Sequence, residues 1–244
     1  MKTGSLMLVS AFCLAQSLIL AEEGVFTAIK VIAPPVIDGK LDDQPWEKAS
    51  EYGGFGLSNK KTAKEQTSAR ILYDEKGIYF GLKCIEFKMD RISASFASRG
   101  NCLWGNDCAV IFLDPHPHDE IYYQFAVNPL GAQCNLRFHE RPGGAYSHAW
   151  ASYNLWDCEW EARCSMEKNA WMVEAAIPYS VLEINSKVGA EWRVGFGRIE
   201  KPHGESSHLP ALCSWDKPET FGRLRGIKAD FGRYVYAVET LFAK

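Results

Sequence analysis

The stretch Ile71–Phe80, ILYDEKGIYF, holds two apolar runs on either side of a short polar turn. Both runs are rich in the β-branched and aromatic residues that favour strands. The breaker Glu75-Lys76-Gly77 lies between them. In the second run, Cys84 shares a strand face with Phe80 and Leu82, because side chains two residues apart point the same way. The stretch therefore predicts two neighbouring strands joined by a turn.

The same period-two alternation continues along the chain, with Gly, Pro and Asn breakers between the runs. The predicted strands are Phe26–Val31, Ala69–Tyr73, Ile78–Glu86, Asp107–Leu113, Tyr122–Asn128, Ala132–Phe138, Trp160–Glu167, Ala170–Pro178, Glu191–Ile199 and Tyr234–Leu241. Short helical turns are predicted around Trp46–Ala49 and Ser180–Leu182. Many short strands with regular turns predict an all-β, antiparallel sandwich of the immunoglobulin or jelly-roll type.

Residues 1–21 have the features of a secretory signal peptide. Lys2 precedes the mainly apolar run Leu6–Leu20, and Ala21 stands before Glu22-Glu23. Residues 22–244 are predicted to form one domain, since no Pro/Gly-rich linker divides them. We expect a secreted, periplasmic or cell-surface protein with no membrane span after signal removal. A formal net charge of −3 gives no reason to expect nucleic acid as a partner.

Cysteines are unusually frequent for a chain of this size. Eight are present, and Cys13 falls in the predicted signal peptide. The other seven are Cys84, Cys102, Cys108, Cys134, Cys158, Cys164 and Cys213. Their spacing includes no CxxC pair, so it does not indicate zinc. Strand alternation predicts that most are small core residues, while one or two disulfides stay open as alternatives.

Six of the eight tryptophans fall into two groups by their setting. Four lie within amphipathic strands or turns and are predicted core residues: Trp46, Trp160, Trp171 and Trp192. Trp104 and Trp215 lie in loops instead, where a large aromatic side chain is better placed to contact a ligand.

The acidic loop after the predicted strand Asp107–Leu113 offers hard oxygen ligands. Asp114, Asp119 and Glu120 are the candidate calcium ligands there. Plain solvated turns of this composition are also common. Enzyme motifs are absent: the sequence has no GxSxG, no HExxH and no phosphate-binding loop.

Several short sequence motifs follow one another along the chain in a fixed order. They are Val36–Asp43 followed by Trp46, Ile71–Phe80, Trp104–Asp107 leading into Val110–Asp114, Trp171–Pro178, and Ser214-Trp215-Asp216 followed by Phe221-Gly222. In order and spacing they resemble the family 9 carbohydrate-binding modules and their wider DOMON-like relatives. The resemblance runs from about Val36 to Ile227.

The resemblance implies that a terminal sugar is held between two loop tryptophans, which match Trp104 and Trp215 here. It also implies a Glu and an Arg on the neighbouring strands, but Val110 and Ala126 occupy those two positions. Each lost polar contact should cost about 1–3 kcal/mol of binding free energy. The polar residues that could replace them are Asn106, Asp107, Gln124, Asn128 and Arg198.

The function implied is non-catalytic carbohydrate binding associated with polysaccharide breakdown, with a glycoside hydrolase as partner and structural Ca²⁺ as a cofactor. Two alternatives remain. One is a haem-binding electron-transfer sandwich, which would need axial ligands from residues such as Met89, Met166 or Met172. The other is a hydrolase or interaction domain that binds no sugar.

Overall fold

A computed structural model describes residues 19–20, 24–95, 103–117, 121–141, 145–146, 158–184, 188–189, 191–232 and 234. Its strands are β1 (Ile19–Leu20), β2 (Val25–Thr27), β3 (Ile29–Lys30), β4 (Tyr52–Gly53), β5 (Gly56–Leu57), β6 (Thr67–Tyr73), β7 (Gly77–Ile85), β8 (Cys108–Asp114), β9 (Ile121–Val127), β10 (Gln133–Arg141), β11 (Ala145–Tyr146), β12 (Glu161–Met166), β13 (Ala170–Pro178), β14 (Trp192–Glu200), β15 (Glu205–Leu209) and β16 (Gly222–Arg225). Helix α1 spans Gln44–Glu47, and 3-10 turns span Met89–Arg91, Tyr179–Val181 and Pro218–Thr220.

The described strands form two sheets. Sheet I has the order β1-β4-β6-β7-β13-β12, with β3 also pairing β6. Sheet II has the order β11-β10-β9-β8-β14-β15-β5, with β16 joining β14 to β2. Neighbours are antiparallel except for β1–β4, β3–β6 and β2–β16, which are short parallel pairs. The predicted all-β sandwich is confirmed, with a mixed character at three edges.

Most predicted strands are present with shifted ends, but six short ones were not predicted. They are β1, β4, β5, β11, β15 and β16. The predicted helical turns also move slightly, since α1 begins before Trp46 and the later turn begins at Tyr179. The predicted strand Tyr234–Leu241 lies outside the described residues, apart from Tyr234 itself.

The main core lies between the two sheets. Alternate residues of β7 and β13, such as Phe80 and Val173, meet alternate residues of β8 and β14, such as Ile111 and Phe196. The four tryptophans predicted as core residues are all buried: Trp46, Trp160, Trp171 and Trp192. Burying such large aromatic side chains supplies much of the driving force for folding.

The segment before α1 crosses the outer face of sheet I and is fixed there by Glu174. This carboxylate is fully buried. One oxygen accepts the backbone amides of Asp38 and Gly39, each at 2.8 Å, and the other accepts Nε1 of Trp46 at 2.6 Å. Gly39 is required at its position, because its φ is +91° and a Cβ would lie 2.5 Å from the carbonyl carbon of Cys164.

The central strands of sheet II, β8, β9 and β14, are buried on both faces. Along β8, Ala109, Ile111 and Leu113 face the main core. Cys108, Val110 and Phe112 face away from it into a second apolar cluster. We call this second layer the outer cluster; its buried members are Leu103, Cys108, Val110, Phe112, Tyr122, Ala126, Ala132, Cys134, Leu136, Phe138, Cys213 and Phe221. Loops on this face therefore rest on an apolar floor.

The cysteines behave as core residues, as their strand positions predict. Cys84, Cys108, Cys134, Cys158 and Cys213 are buried, and Cys164 is half-buried. Thiols rather than disulfides occupy Cys84, Cys108, Cys164 and Cys213. Cys13 and Cys102 lie outside the described residues. None of the described helices has the length and apolar composition needed to cross a bilayer.

Candidate functional site

The two loop tryptophans meet on the outer cluster. Trp104 precedes β8 and Trp215 lies between β15 and β16, yet their ring centroids are only 5.1 Å apart. The rings are nearly perpendicular, at 89°, which is an edge-to-face contact. Both side chains are partly buried against the outer cluster. Folding thus joins two residues that are 111 positions apart in the sequence (215 − 104).

Trp215 is held through its backbone and through its ring. Its carbonyl oxygen accepts hydrogen bonds from Nε2 of Gln124 at 2.7 Å and from the hydroxyl of Tyr122 at 3.0 Å. Its ring makes an edge contact with Phe112, at a centroid distance of 5.2 Å. Its indole Nε1 donates to Nε2 of His208. The position and orientation of Trp215 are therefore fixed by four side chains of sheet II.

Glycine makes this close packing of Trp215 feasible. Gly197 lies on β14, and a Cβ there would be 3.1 Å from Phe112 and 3.4 Å from the Trp215 ring. Such a side chain would push the indole away from the sheet. The glycine inside a strand pattern marks a site of close approach, and this signal was available in the sequence.

The loop of Trp104 is tied to the sheet by charged groups. Nζ of Lys201 donates to the carbonyl oxygen of Trp104 at 2.9 Å. Asp107 accepts the amide of Ser93 at 2.7 Å and that of Lys201 at 3.1 Å. Burial is the main reason why the pKa of Asp107 is raised. These bonds hold the loop backbone beside the contact between the two indoles.

Two other predicted polar residues, Asn106 and Asn128, are engaged within the protein. Asn106 accepts the amide of Ser95 at 2.7 Å, and its side chain also contacts that of Asn128 at 3.3 Å. Asn128 in turn accepts the amide of Ala132 at 2.9 Å. These amides support the two turns that surround the outer cluster.

Arg198 lies on the opposite face of β14, between the sheets. It is fully buried and pairs with the buried Glu86 at 3.2 Å. It also donates to the carbonyl oxygen of Ile85 at 2.6 Å. Its guanidinium is thus part of an internal ion pair, and the structure does not bring it to the tryptophan pair.

Val110 and Ala126 are cross-strand neighbours on the outer face of sheet II. Both are buried and belong to the outer cluster. Val110 is also the neighbour of Gly197, which in turn is the neighbour of His208. Ala126, Val110, Gly197 and His208 therefore form one cross-strand row beneath the tryptophans. Within it, the two positions at which the resemblance implies polar residues are apolar.

The predicted calcium ligands are only partly described. Asp114 is buried, accepts the amide of His116 at 3.0 Å and lies 3.6 Å from Arg193. Asp119 and Glu120 lie outside the described residues. The calcium site therefore stays a prediction.

A different group of ligand-type side chains lies near the Arg198 ion pair. Ligand atoms of Glu65, Glu86 and His203 lie within 4.8 Å of one another. Since Glu86 already pairs with Arg198, the protein itself compensates part of the charge of this group. Calcium accepts carboxylate oxygens, but the imidazole nitrogen suits a transition metal better, so the donor set defines no single ion.

Two of the three methionines named for the haem alternative line a separate surface cavity. Met166 and Met172 border a cavity of about 420 Å³ outside sheet I, together with Lys40, Leu41, Asp42, Arg70, Lys83, Ser165 and Glu167. The described lining residues include no histidine. Among the described residues, the cavity offers methionine but no histidine as an axial ligand for haem.

The architecture and the sequence comparisons agree. Two packed sheets define a β-sandwich protein. The sequence profile described as carbohydrate family 9 binding domain-like matches residues 37–225. The chain belongs to this family.

Two curated relatives are enzymes. Endo-1,4-beta-xylanase A of Thermotoga neapolitana is 25% identical over 220 residues, which cover 84% of this chain. The corresponding xylanase of Thermotoga maritima is 25% identical over 216 residues. In each case the match spans only 18% of the length of the xylanase.

Solved structures of the same kind share the fold. A family 9 carbohydrate-binding module from Caldicellulosiruptor kristjanssonii, in complex with cellotriose, has a TM-score of 0.59 at 16% identity. The match covers 85% of this chain and 96% of that one. A complex of a family 9 module from the same organism with glucose has a TM-score of 0.58 at 15% identity, covering 84% of this chain and 96% of that chain.

Proposed function

We propose that this chain is an exported, non-catalytic carbohydrate-binding module that holds a sugar or glycan end at Trp104 and Trp215. The observation that carries the proposal is the contact of these two loop indoles on sheet II, in a chain of a carbohydrate-binding family. An indole covers the apolar C–H face of a pyranose ring, which is how aromatic residues bind sugars in water.

Binding between the two rings requires that they separate. A sugar stacked on both sides needs about 7–8 Å between the ring planes, or two van der Waals contacts. The present edge-to-face contact has a centroid distance of 5.1 Å. Because Trp215 is held by His208 and Phe112, we expect the Trp104 ring to move on binding.

The hydroxyl contacts differ from those that the resemblance implies. Val110 and Ala126 supply no hydrogen bonds from the floor of the site. Asp216 stands beside Trp215 and accepts the hydroxyl of Ser214 at 2.6 Å, which leaves acceptor capacity on its carboxylate. We propose Asp216 as a contact to the sugar rim. With few polar contacts, we expect a dissociation constant in the range of about micromolar to millimolar.

The sugar class is proposed from the relatives. The similar modules carry cellotriose and glucose, and the similar enzymes are xylanases. We therefore propose that β-1,4-linked glucose or xylose oligosaccharides are the ligands, and that a glycoside hydrolase is the functional partner. Since the match to the xylanases covers a small part of their length, no catalytic activity is transferred to this chain.

Calorimetric titration of the chain with glucose, cellotriose and xylotriose tests the proposal. We expect saturable binding that is lost in both Trp104→Ala and Trp215→Ala. Phe87→Ala is the control, because Phe87 is an exposed aromatic residue outside the tryptophan contact, and binding should be unchanged. Equal affinity in wild type and both tryptophan variants would contradict the site. Hydrolysis of chromogenic glycosides by the purified chain would contradict the non-catalytic assignment.

A further inference from the structure

His208 contacts the ring of Trp215 at the only polar atom that the indole has. His208 lies on β15 and is 6% exposed. The two rings are nearly perpendicular, with centroids 5.7 Å apart. Tyr122 and Gln124 hold the Trp215 backbone, whereas the bond from Nε1 to Nε2 of His208 fixes the rotation of the indole itself.

The chemistry of this bond sets the protonation state of His208. An indole nitrogen can only donate a hydrogen bond, so Nε2 of His208 must accept and cannot carry a proton. The imidazole is then neutral, with its proton on Nδ1. A second proton would place two N–H donors against each other and remove the bond.

The surroundings of His208 favour the neutral form. Its cross-strand neighbours, Gly56 and Gly197, are uncharged. Burial lowers the pKa of His208. The charged groups on its own strand and on the elements packed against it are Arg193, Arg198, Glu200, Glu205, Lys60, Lys61, Asp216 and Lys217. Several of these groups are engaged with other partners. Arg198 pairs with Glu86 on the opposite face of β14, and Glu200 contacts His203. Glu205 accepts the amide of Lys64, and Asp216 accepts the hydroxyl of Ser214.

We propose that His208 is the positioning residue for the Trp215 indole, and that glycan binding at the tryptophan pair requires neutral His208. This inference rests on the proposed sugar site and deepens it. The affinity should fall as the pH is lowered through the titration of His208. One pH unit below that titration, about one molecule in eleven has neutral His208, so the dissociation constant should rise roughly tenfold.

His208→Gln is the informative variant. The side-chain oxygen of Gln can accept the indole N–H, but the amide does not titrate. We expect this variant to bind cellotriose at pH 8 about as well as wild type and to show no comparable loss of affinity on acidification. His208→Leu removes the acceptor and should bind weakly at every pH. Thermal unfolding of each variant at pH 8 checks that it is folded.

A measurement without sugar separates this inference from the proposed function. The indole N–H resonance of Trp215, assigned by its loss in Trp215→Phe, is followed by NMR from pH 8 to pH 5. We expect it to titrate in wild type below the ordinary histidine value of about 6.5 and to stay constant in His208→Gln. An indole signal that does not titrate in wild type would overturn the positioning role.

Calorimetry decides whether glycan binding depends on the protonation of His208. This dependence is supported if cellotriose affinity decreases on acidification in wild type but not in His208→Gln. The same pH profile in both proteins overturns it. If neither protein binds any tested glycan at pH 8, the proposed function fails, and the NMR titration alone decides whether His208 positions Trp215.

Discussion

Glu174 fixes the segment Val36–Asp43 to sheet I, and we predict that Glu174→Gln destabilises the fold. The carboxylate accepts three hydrogen bonds from two sides, as described above. A glutamine has only one oxygen at its end, so its NH2 group must face either the Trp46 indole or the two amides of Asp38 and Gly39. At least one buried donor then loses its acceptor.

The expected loss of stability follows from the number of buried donors that lose their acceptor. The less costly orientation leaves the Trp46 N–H without an acceptor, and an unsatisfied buried donor costs about 1–3 kcal/mol. We expect the free energy of unfolding to fall by about 2 kcal/mol. Urea unfolding followed by fluorescence measures it, and Glu161→Gln is the control because the Glu161 side chain is half-exposed on β12. The control should stay within about 0.5 kcal/mol of wild type.

A double-mutant cycle with Trp46→Phe tests the cause. Once the indole N–H is absent, Glu174→Gln should cost less than it does in wild type. A Glu174→Gln variant as stable as the Glu161→Gln control would refute the reasoning. The same holds if the two changes at Trp46 and Glu174 are additive.

Three further predictions concern other parts of the fold. Gly39→Ala should lower the free energy of unfolding by about 3 kcal/mol, because φ is positive there and the added Cβ would clash with the backbone of Cys164. Gly105→Ala should have little effect in the same urea assay, because open space surrounds Gly105. Lys201→Met should raise the cellotriose dissociation constant about tenfold in calorimetry by releasing the Trp104 loop, with an unchanged melting temperature; unchanged affinity would contradict this. Burial raises the pKa of the Cys84 thiol to about 11, so iodoacetamide at pH 8 should modify Cys84 only after unfolding, as peptide mass spectrometry would show.

The sequence pattern was sufficient for the sandwich and for the core tryptophans, because both depend on local alternation. It did not identify β15, whose sequence ESSHL has a single large apolar residue, Leu209. That strand forms because β14 offers it five paired positions, from Phe196 to Glu200. A partner supplied by the rest of the fold cannot be found from the strand's own residues.

The sequence pointed to the two tryptophans of the candidate site but not to how they pack. Their loop setting marked them, but their direct contact depends on Gly197 and Phe112 beneath them. Gln124 was predicted to contact sugar, and the structure shows it bonded to the carbonyl oxygen of Trp215, 91 positions away. Hydrogen-bond partners at such separations are set by sheet topology, which a single sequence does not display.

The most direct test of the account is a crystal structure of the chain with cellotriose. We expect a glucose ring between Trp104 and Trp215, with the indoles about 7–8 Å apart and the Trp104 ring moved from its present edge-to-face contact. Cellotriose bound elsewhere, for example in the cavity lined by Lys40, Arg70 and Lys83, with the two indoles still in contact, would contradict the account.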